Sequence, residues 1–397
     1  MSMIKYIPLL LPMLLSNTAS AAEWVFNAQA DPKFKYDDNE LLREDELDDF
    51  SLNIDPTLSL TRSLENSTSE IRLGYRISRY QDLKELDKEN PFASFNTTYA
   101  TERSTYGLKL DYAERESRDI AEEDTADFSN ISTTITKSIS PSFSYRLTEL
   151  DTISTSLSYQ TRKQSDDSSN SNSILGSSSN LTDNETASLN LAWQHQYTER
   201  LNGGLSFTYV NYQAESDSLD NQYDSYSLGL TSEYQLSELW SVNGLLGARY
   251  LDSENNPAVG PQTSDQSTGL NYSISTKRED ELNSYSISAS RSLLPSSEGD
   301  VNQQDAYTAT YRRNFTEKLT GSFSASYRLY KSADDLNSQE TKYWDLSPSL
   351  NWKLAQDWSL IFSYKYRSID ETDGKNVDSN AIFLNIDYNW NGIRFSR

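Results

Sequence analysis

Apolar and polar side chains alternate along most of this chain, in paired runs that flank a short charged turn. One such hairpin extends from Pro141 to Tyr159, and similar hairpins surround Thr198–Leu201 and Thr316–Leu319. Alternation with a period of two places successive side chains of an extended strand on opposite faces, so each run has one apolar and one polar face. The pattern predicts a chain built almost entirely of antiparallel β-hairpins.

The number of turns predicts the number of strands. Eight short turns join sixteen strands, one further strand precedes them near residues 24–36, and one follows near residues 381–390, so we expect eighteen strands. Sixteen is the alternative if the weakest hairpin, around Lys277–Asp280, is absent. The turns are centred near residues 63–66, 101–104, 148–151, 198–201, 237–240, 277–280, 316–319 and 355–358.

Longer polar segments connect the hairpins and carry much of the acidic charge, for example at Glu122–Asp124 and Asp370–Asp373. Such carboxylates either belong to ordinary solvated loops or hold divalent cations that bridge to lipopolysaccharide. The predicted loops lie near residues 38–47, 81–91, 117–127, 161–185, 213–223, 252–267, 292–305, 331–342 and 368–379.

The first residues have the composition of a secretory signal peptide. Lys5 supplies a positive charge, Ile7–Leu15 an apolar stretch and Ser16–Ala22 a stretch of small residues that fits a cleavage site. The apolar stretch is too short to span a bilayer as a helix. We expect residues 1–22 to be a cleaved signal peptide and residues 23–397 to form one domain. The absence of cysteine excludes a disulfide framework.

The composition favours a barrel in a membrane. Only 36% of the residues are hydrophobic, yet the chain has 26 tyrosines and 7 tryptophans. A membrane barrel needs apolar side chains on its outer face alone, with aromatic belts at both interfaces, short periplasmic turns and long extracellular loops. The sequence therefore predicts an all-β fold, a transmembrane antiparallel up-and-down β-barrel in the outer membrane of a Gram-negative bacterium. A secreted β-sandwich or β-solenoid is the alternative.

Alternation also assigns residues to the barrel lumen. Ile71, Leu73 and Tyr75 point outward, so Arg72 and Arg76 point inward. The same procedure assigns ten basic residues to the inner wall as a candidate binding surface: Arg72, Arg76, Lys109, Arg146, Arg249, Arg312, Arg328, Lys353, Lys365 and Arg367. The acidic residues assigned to the lumen are Asp111, Glu233, Asp345 and Asp387.

Two interpretations of this basic wall are open. A field of arginine and lysine side chains favours passage of an anionic solute or a polyanion. Alternatively, the bases pair with carboxylates and only brace the wall. Small hydroxyl side chains, as in Ser154, Ser156 and Ser158, fill much of the remaining inner face and suit a wide, wettable bore.

An enzyme is not expected. His195 is the only histidine, and alternation with Trp193 and Tyr197 directs it toward lipid or the periplasmic aromatic belt. No glycine-rich phosphate loop or Cys/His cluster occurs in the sequence, so we expect no cofactor and no metal. The net charge of −24 argues against a nucleic-acid partner. The expected surroundings are outer-membrane lipid and lipopolysaccharide.

Two sequence features resemble a known family. The Tyr-x-Leu-Thr-Glu turn at Tyr145–Glu149 and the pattern from Trp24 to Tyr36–Asn39 resemble the outer-membrane β-barrels of exopolysaccharide systems, the EpsL-like β-barrel porin 2 family. That family includes barrels associated with PEP-CTERM sorting loci. The resemblance extends over residues 23–397, although the Phe395–Arg397 end and the acidic loops depart from the family pattern.

The resemblance implies a conduit that exports a polysaccharide chain across the outer membrane, above a periplasmic polysaccharide-export protein. It implies no catalytic residues. Two other hypotheses are open: a general or anion-preferring porin for small solutes, and a structural or adhesive surface barrel with a plugged lumen.

Overall fold

The computed structural model describes residues 22–121, 128, 132–165, 182–216, 219–257, 262–296, 299–333, 340–372, 374, 376–388, 390 and 392–396. The predicted signal peptide, except Ala22, lies outside these residues, as do the acidic run Glu122–Asp124 and the predicted loop centre at 166–180. Short helical segments occur at α1 (Ser117–Ile120) and at Lys84–Leu86. No helix within the described ranges has the length and apolarity to cross a bilayer.

Twenty-one strand segments form one continuous sheet. Three pairs of segments, β1 with β2, β3 with β4 and β20 with β21, are halves of single interrupted strands, so the sheet has 21 − 3 = 18 strands. The segments are β1 Glu23–Gln29, β2 Pro32–Asp37, β3 Asp49–Ile54, β4 Thr57–Leu64, β5 Ser67–Tyr80, β6 Lys88–Ala100, β7 Ser104–Glu116, β8 Thr133–Arg146, β9 Asp151–Ser165, β10 Asp183–Thr198, β11 Leu201–Ser216, β12 Leu219–Gln235, β13 Trp240–Pro257, β14 Thr263–Glu279, β15 Asn283–Pro295, β16 Val301–Asn314, β17 Leu319–Ser332, β18 Glu340–Lys353, β19 Trp358–Glu371, β20 Asn376–Tyr388 and β21 Ile393–Ser396.

The first and last strands pair with each other and close the sheet. In this seam Trp24 lies opposite Phe395 and their rings stack at a centroid distance of 6.2 Å, while β2 pairs with β20 from Lys33↔Asn385 to Asp37↔Ala381. Each strand also pairs antiparallel with its neighbour in the chain. Closure leaves no open sheet edge along the seam. The predicted eighteen-stranded antiparallel barrel is confirmed, and sixteen is wrong.

Several predicted boundaries are wrong. The segments near 213–223 and 252–267 are mostly strand, because β11, β12, β13 and β14 continue beyond the apolar band. A segment with polar side chains on both faces resembles a loop in sequence. Its backbone N–H and C=O groups can nevertheless pair with a neighbouring strand when both faces of the sheet contact water. The first strand is interrupted at residues 30–31, and the last extends from Asn376 to Tyr388 and resumes at Ile393.

The eight short turns lie at one end of the barrel, the turn end, and the same kind of side-chain cap recurs in at least five of them. Thr148 Oγ1 accepts hydrogen bonds from the backbone N–H groups of Leu150 at 3.1 Å and Asp151 at 2.9 Å. Equivalent pairs of bonds are accepted by Thr198, Ser237, Asp280 and Thr316. Short polar side chains that bond to the backbone two or three residues ahead stabilise tight turns. The Thr-Glu element of the sequence motif is therefore a turn cap followed by an exposed glutamate.

The same cap explains why the sixth turn was misplaced. The turn comprises residues 280–282 and lies three residues beyond its predicted start at Lys277, which remains in β14. Hydrogen bonds from the Asn283 side chain and from the backbone N–H groups of Asn283 and Leu282 lower the pKa of the Asp280 carboxyl. The charged residues before Asp280 simply continue the strand alternation.

The outer face of the wall is an exposed apolar band. Leu228, Leu230 and Ile287 are 60, 64 and 59% exposed, which is a costly arrangement in water. Aromatic pairs border the band on both sides, such as Tyr285–Tyr311 near the turn end and Tyr327–Trp344 toward the opposite, loop end. An apolar band between two aromatic belts matches the hydrocarbon core of a bilayer and its two interfaces.

We predict that Ile287→Arg destabilises the barrel in lipid by about 2–4 kcal/mol, because this side chain lies on the outer face between the two belts. Ser288→Arg is the matched control, since the neighbouring side chain faces the lumen opposite Ser275 and Thr308. Urea titration of both variants in lipid vesicles measures the difference. Equal destabilisation would contradict the assignment of faces.

Candidate functional site

All ten basic residues assigned to the lumen lie on the inner face. Cα partners in neighbouring strands share a face, and pairs such as Arg72↔Ser94 and Arg249↔Gly269 lie opposite to the exposed leucines and isoleucines. Their role in binding a solute stays a prediction. What the structure adds is the set of partners that each side chain contacts.

In the described part of the chain, four of the ten basic residues form ion pairs on the inner wall. The pairs are Arg72–Glu70 at 3.1 Å, Lys109–Asp111 at 3.1 Å, Lys365–Asp345 at 3.2 Å and Arg367–Asp37 at 2.7 Å. Along β5 and β7 the partners are two residues apart on one strand, so they brace the wall. These four ion pairs agree with the hypothesis that the lumenal bases pair with carboxylates and brace the wall.

The sequence assignment missed several charged residues on the inner face. The register adds the bases Lys33, Lys35 and Arg115 and the acids Asp37, Asp49 and Glu70. Alternation with Phe34 and Tyr36 would have found Lys33 and Lys35. These additions raise the number of bases and the number of acids equally, so they leave the expected excess of bases over acids unchanged. Charge in the lumen is uneven along the axis and not uniformly basic.

The exposed bases concentrate at the turn end. Arg146, Arg312 and Lys353 each lie within three residues of a short turn and are exposed on the inner face. Among the described residues, none of them has a carboxylate within ion-pair distance. Their charge faces the water at this mouth of the barrel, where it acts on any solute that enters.

The bases nearer the loop end lie against aromatic rings. Arg76 lies 4.8 Å from the ring of Phe92, and Arg328 lies 5.6 Å from the ring of Tyr343. A guanidinium over an aromatic face gains electrostatic attraction and loses rotational freedom. These side chains are held to the wall and present a fixed part of the lumen surface.

The loop after β2 and the loop after β7 fold into the lumen at the loop end. Leu42 and Ala121 from these loops pack with Phe128 against the inner-face residues Tyr343 and Ile369, and all are buried. The Phe128 ring stacks on Tyr343 at a centroid distance of 5.7 Å. Because Tyr343 and Ile369 lie on β18 and β19, these loops reach inner-wall strands distant in sequence. We call this set of contacts the loop plug.

A buried charge network holds the loop plug to the wall. Glu40 of the first loop accepts a hydrogen bond from the Tyr80 hydroxyl at 3.0 Å, and Arg118 of α1 donates to the same hydroxyl at 2.8 Å. Arg118 lies 3.5 Å from Glu40, and Lys35 of the wall forms an ion pair with the second Glu40 oxygen. Removing one partner of a buried pair leaves an uncompensated charge, so the network fixes both loops at once.

Beside this network, Arg367 of β19 holds Asp37 of β2. Asp37 is 1% exposed and also accepts a hydrogen bond from the Ser379 hydroxyl at 2.6 Å. Arg367 lies 5.4 Å from the Phe128 ring, so it connects the wall pair to the loop plug. The sequence placed Arg367 in the lumen, but not in contact with a loop.

A second inward element is the upper part of the β15–β16 hairpin. The Tyr212 hydroxyl donates to the Ser296 carbonyl at 2.7 Å, and the Asn221 side chain donates to the Gly299 carbonyl at 2.9 Å. Tyr212 and Asn221 lie on the inner faces of β11 and β12. Val301 packs with Leu251 in the same buried cluster. The hairpin tip therefore leans inward onto the wall of β11–β13 and narrows the lumen.

This inward lean separates β15 from β14. The two strands pair from Tyr272↔Arg291 to Glu279↔Ser284, whereas the remainder of β14, from Thr263 to Asn271, pairs with β13 alone. Arg291 and Asp305 bridge the two strands of the hairpin with contacts of 2.5 and 2.7 Å.

His195 lies on the outer face beside the third turn. Its Nδ1 is 2.8 Å from Asp151 Oδ1, and the Trp193 indole donates to the same oxygen at 3.2 Å. This place agrees with the predicted direction toward the aromatic belt at the turn end. Within the described residues, no group of three side chains is arranged to hold a metal ion.

No protein-family model and no curated protein sequence matches this chain. Solved barrel structures do resemble it. The ferric-catecholate import receptor Fiu of E. coli K12 is similar with a TM-score of 0.50 and 8% identity, over 91% of this chain and 82% of Fiu. The ferric citrate transporter FecA has a TM-score of 0.51 and 10% identity, over 87% of this chain and 60% of FecA. The outer membrane protein OpdK of Pseudomonas aeruginosa has a TM-score of 0.47 and 11% identity, over 95% of this chain and 99% of OpdK.

At such low identity these likenesses concern the fold alone. Together with the closed eighteen-stranded sheet and its apolar outer band, the likeness to Fiu and FecA defines the class: the chain has the fold of the outer-membrane β-barrels. In such barrels the short turns face the periplasm and the long loops face outward.

We predict that Arg118→Ala releases the loop plug and raises single-channel conductance in planar bilayers. The variant leaves Glu40 buried with fewer partners, and breaking a buried pair costs about 3–5 kcal/mol. Arg79→Ala is the matched control, because Arg79 forms an exposed ion pair with Glu89. Unchanged conductance in Arg118→Ala would show that the buried pair does not hold the loops.

We predict that acidification stabilises the inward hairpin. Burial raises the pKa of the Asp300 carboxyl at the hairpin tip, although a hydrogen bond from Tyr223 opposes the shift. The charged form is thus disfavoured in the packed state, so packing strengthens as the pH falls through the raised pKa toward the ordinary Asp value.

The measurement is the time spent in low-conductance states between pH 7 and pH 4. We expect Asp300→Asn to resemble the acidified protein already at pH 7 and to lose part of the pH dependence. Asp220→Asn, an exposed carboxylate at the same end, is the control. Identical pH profiles for Asp300→Asn and the unmodified protein would contradict the assignment.

Proposed function

We propose that this protein is an outer-membrane channel through which an anionic exopolysaccharide leaves the cell. The observation that carries the proposal is the periplasmic mouth, where Arg146, Arg312 and Lys353 are exposed on the inner face without an ion-pair partner among the described residues. A cargo that comes from the periplasm meets these charges first. Basic side chains at a pore mouth raise the local concentration of anions.

The lining of the bore supports passage of a hydrated chain. Ser154, Ser156 and Ser158 lie on the inner face of β9, and similar rows of serine occupy β15 and β17. Hydroxyl groups offer weak hydrogen bonds that exchange readily with water, so a sugar chain can slide without a deep energy minimum. Barrels of this strand number can enclose an aqueous channel.

The loop plug supports a gated conduit. A bore wide enough for a glycan would otherwise admit small toxic solutes when no cargo is in transit. The network of Glu40, Arg118 and Lys35 holds two loops against the inner wall at the loop end. Its charged side chains can exchange partners with an anionic chain that arrives from the periplasmic side. The sequence resemblance to the EpsL-like family supports the same cargo class and a periplasmic polysaccharide-export protein as partner.

The second candidate is an anion-preferring porin for small solutes. The inward β15–β16 hairpin favours it, because a hairpin held inside the barrel by Tyr212 and Asn221 leaves less room for a polymer than for a small molecule. The two candidates share the charge preference and differ in the size of the cargo.

Deletion of the gene separates the two candidates. We expect loss of surface polysaccharide with normal uptake of small hydrophilic solutes, and glycan retained in the periplasm. Normal surface polysaccharide with reduced solute entry would establish the porin and overturn the conduit. A strain that carries the unmodified gene on a plasmid is the control for effects on neighbouring genes.

We predict that replacing Arg146, Arg312 and Lys353 together by serine shifts the reversal potential in a salt gradient away from anion preference. Among the described residues, no carboxylate lies within ion-pair distance of these three side chains. Replacing Arg72 by serine is the control, because Arg72 is already paired with Glu70. An unchanged reversal potential in the triple variant would remove the electrostatic basis of the proposal.

A further inference from the structure

Arg249 differs from the other lumenal bases in its surroundings. It is 6% exposed, and the only contact of its guanidinium with a described side-chain acceptor is a long hydrogen bond to Gln303 at 3.4 Å. Its Nε and Nη1 atoms are buried and have no hydrogen-bond partner among the described residues. A buried charge without a carboxylate is unstable unless an anion is supplied from outside the chain.

The neighbouring charges cannot neutralise Arg249. The charged group that acts on Arg249 is Arg291 of the inward hairpin, which is itself positive. Both oxygens of Asp305 already contact Arg291, at 2.5 and 2.7 Å. Within the described residues, no carboxylate lies within 4.0 Å of the Arg249 nitrogens. The result is an uncompensated positive charge between the wall and the hairpin.

The backbone is shaped to admit this guanidinium. Gly269 is the partner of Arg249 on β14, and a Cβ at residue 269 would lie 2.7 Å from Arg249 Nη2. Any larger residue at position 269 would displace the Arg249 side chain. Two residues away on the same inner face, Ser267 has a buried hydroxyl that also lacks a hydrogen-bond partner among the described residues. Arginine and hydroxyl donors together suit a carboxylate.

An apolar cavity adjoins the charge. It has a volume of about 210 Å³ and is bounded by Leu251 of the wall and by Leu293 and Val301 of the hairpin. Ser227 and Gly247, which also line the cavity, are inner-face neighbours of Arg249. Arg249 does not itself line the cavity, so the space for an apolar body adjoins the unpaired donors through its neighbours Ser227 and Gly247.

We propose that Arg249 and this cavity form a binding site for a small organic carboxylate with an apolar body, held between the inner wall and the inward hairpin. The carboxylate accepts hydrogen bonds from Arg249 Nε and Nη1, and the apolar part lies against Leu251, Leu293 and Val301. The site does not rest on the proposed polysaccharide cargo, because it takes one small molecule and not a chain.

The test is equilibrium binding of hexanoate to the purified, refolded barrel, measured by calorimetry, with 1-hexanol as the uncharged probe of the same length. We expect saturable binding of hexanoate and at least about tenfold weaker binding of 1-hexanol, which corresponds to loss of a charge-assisted contact. Arg249→Gln is expected to weaken hexanoate binding to the level of the alcohol. Arg79→Gln is the matched control, because Arg79 lies outside the lumen and pairs with Glu89, and this variant is expected to bind hexanoate as the unmodified protein does.

A second variant guards against a folding defect. Gly269→Ala keeps the charge of Arg249 and displaces its side chain, so it is also expected to weaken hexanoate binding, while heat-modifiable migration and thermal unfolding report an intact barrel. Absence of saturable binding by the unmodified protein at millimolar hexanoate, equal binding of hexanoate and 1-hexanol, or unchanged binding in Arg249→Gln would each overturn the proposal. Normal polysaccharide export tests the proposed function separately and has no bearing on this result.

Discussion

Satisfaction of backbone hydrogen bonds without water is the constraint on which this structure depends. In the hydrocarbon layer an unpaired N–H or C=O group costs several kcal/mol, so a sheet must close on itself. The pairing of β1 with β21 and of β2 with β20 meets this requirement at the seam, and side-chain caps satisfy backbone N–H groups in turns such as those at Thr148 and Thr316. The apolar outer band, the aromatic belts and the strand number all follow from a wall that is sealed in this way.

Sealing the wall leaves the interior to be organised separately. In the membrane half of the described wall the inner face carries small hydroxyl side chains and short ion pairs, which need no packed core. Packed clusters occur at the loop end, where Leu42 and Phe128 meet Tyr343, and where Val301 meets Leu251. The outer face of the wall is thus adapted to lipid, while separate clusters inside the loop end determine how much of the lumen is filled. We expect the function of the protein to depend on these inner contacts more than on the outer face.

This division explains how much could be predicted from sequence. Period-two alternation is a local signal, so the strand number, the faces of Arg72 and Arg249 and the outward direction of His195 followed from it. Strand ends were less predictable, because the polar ribbon near residue 215 and the cap at Asp280 depend on backbone pairing more than on apolar pattern. The contacts of Phe128 with Tyr343, and of Tyr212 with the tip of the β15–β16 hairpin, join residues far apart in sequence. No single-strand pattern records which loop folds inward or which lumenal base will lose its counter-charge.

The single-layer wall has a consequence for how such proteins change over time. A side chain on the outer face needs mainly to be compatible with lipid, and a side chain on the inner face mainly with water. Many different side chains meet either requirement. Barrels with the same fold can therefore have sequences as different as the 8% identity between this chain and Fiu. Fewer replacements are acceptable where a residue makes a specific contact. Thr148 accepts backbone hydrogen bonds in a turn, and Gly269 leaves room for the Arg249 guanidinium. In a barrel of this kind, we therefore expect sequence similarity to persist longest in the turns and in the contacts inside the lumen, while the strand residues between them change freely.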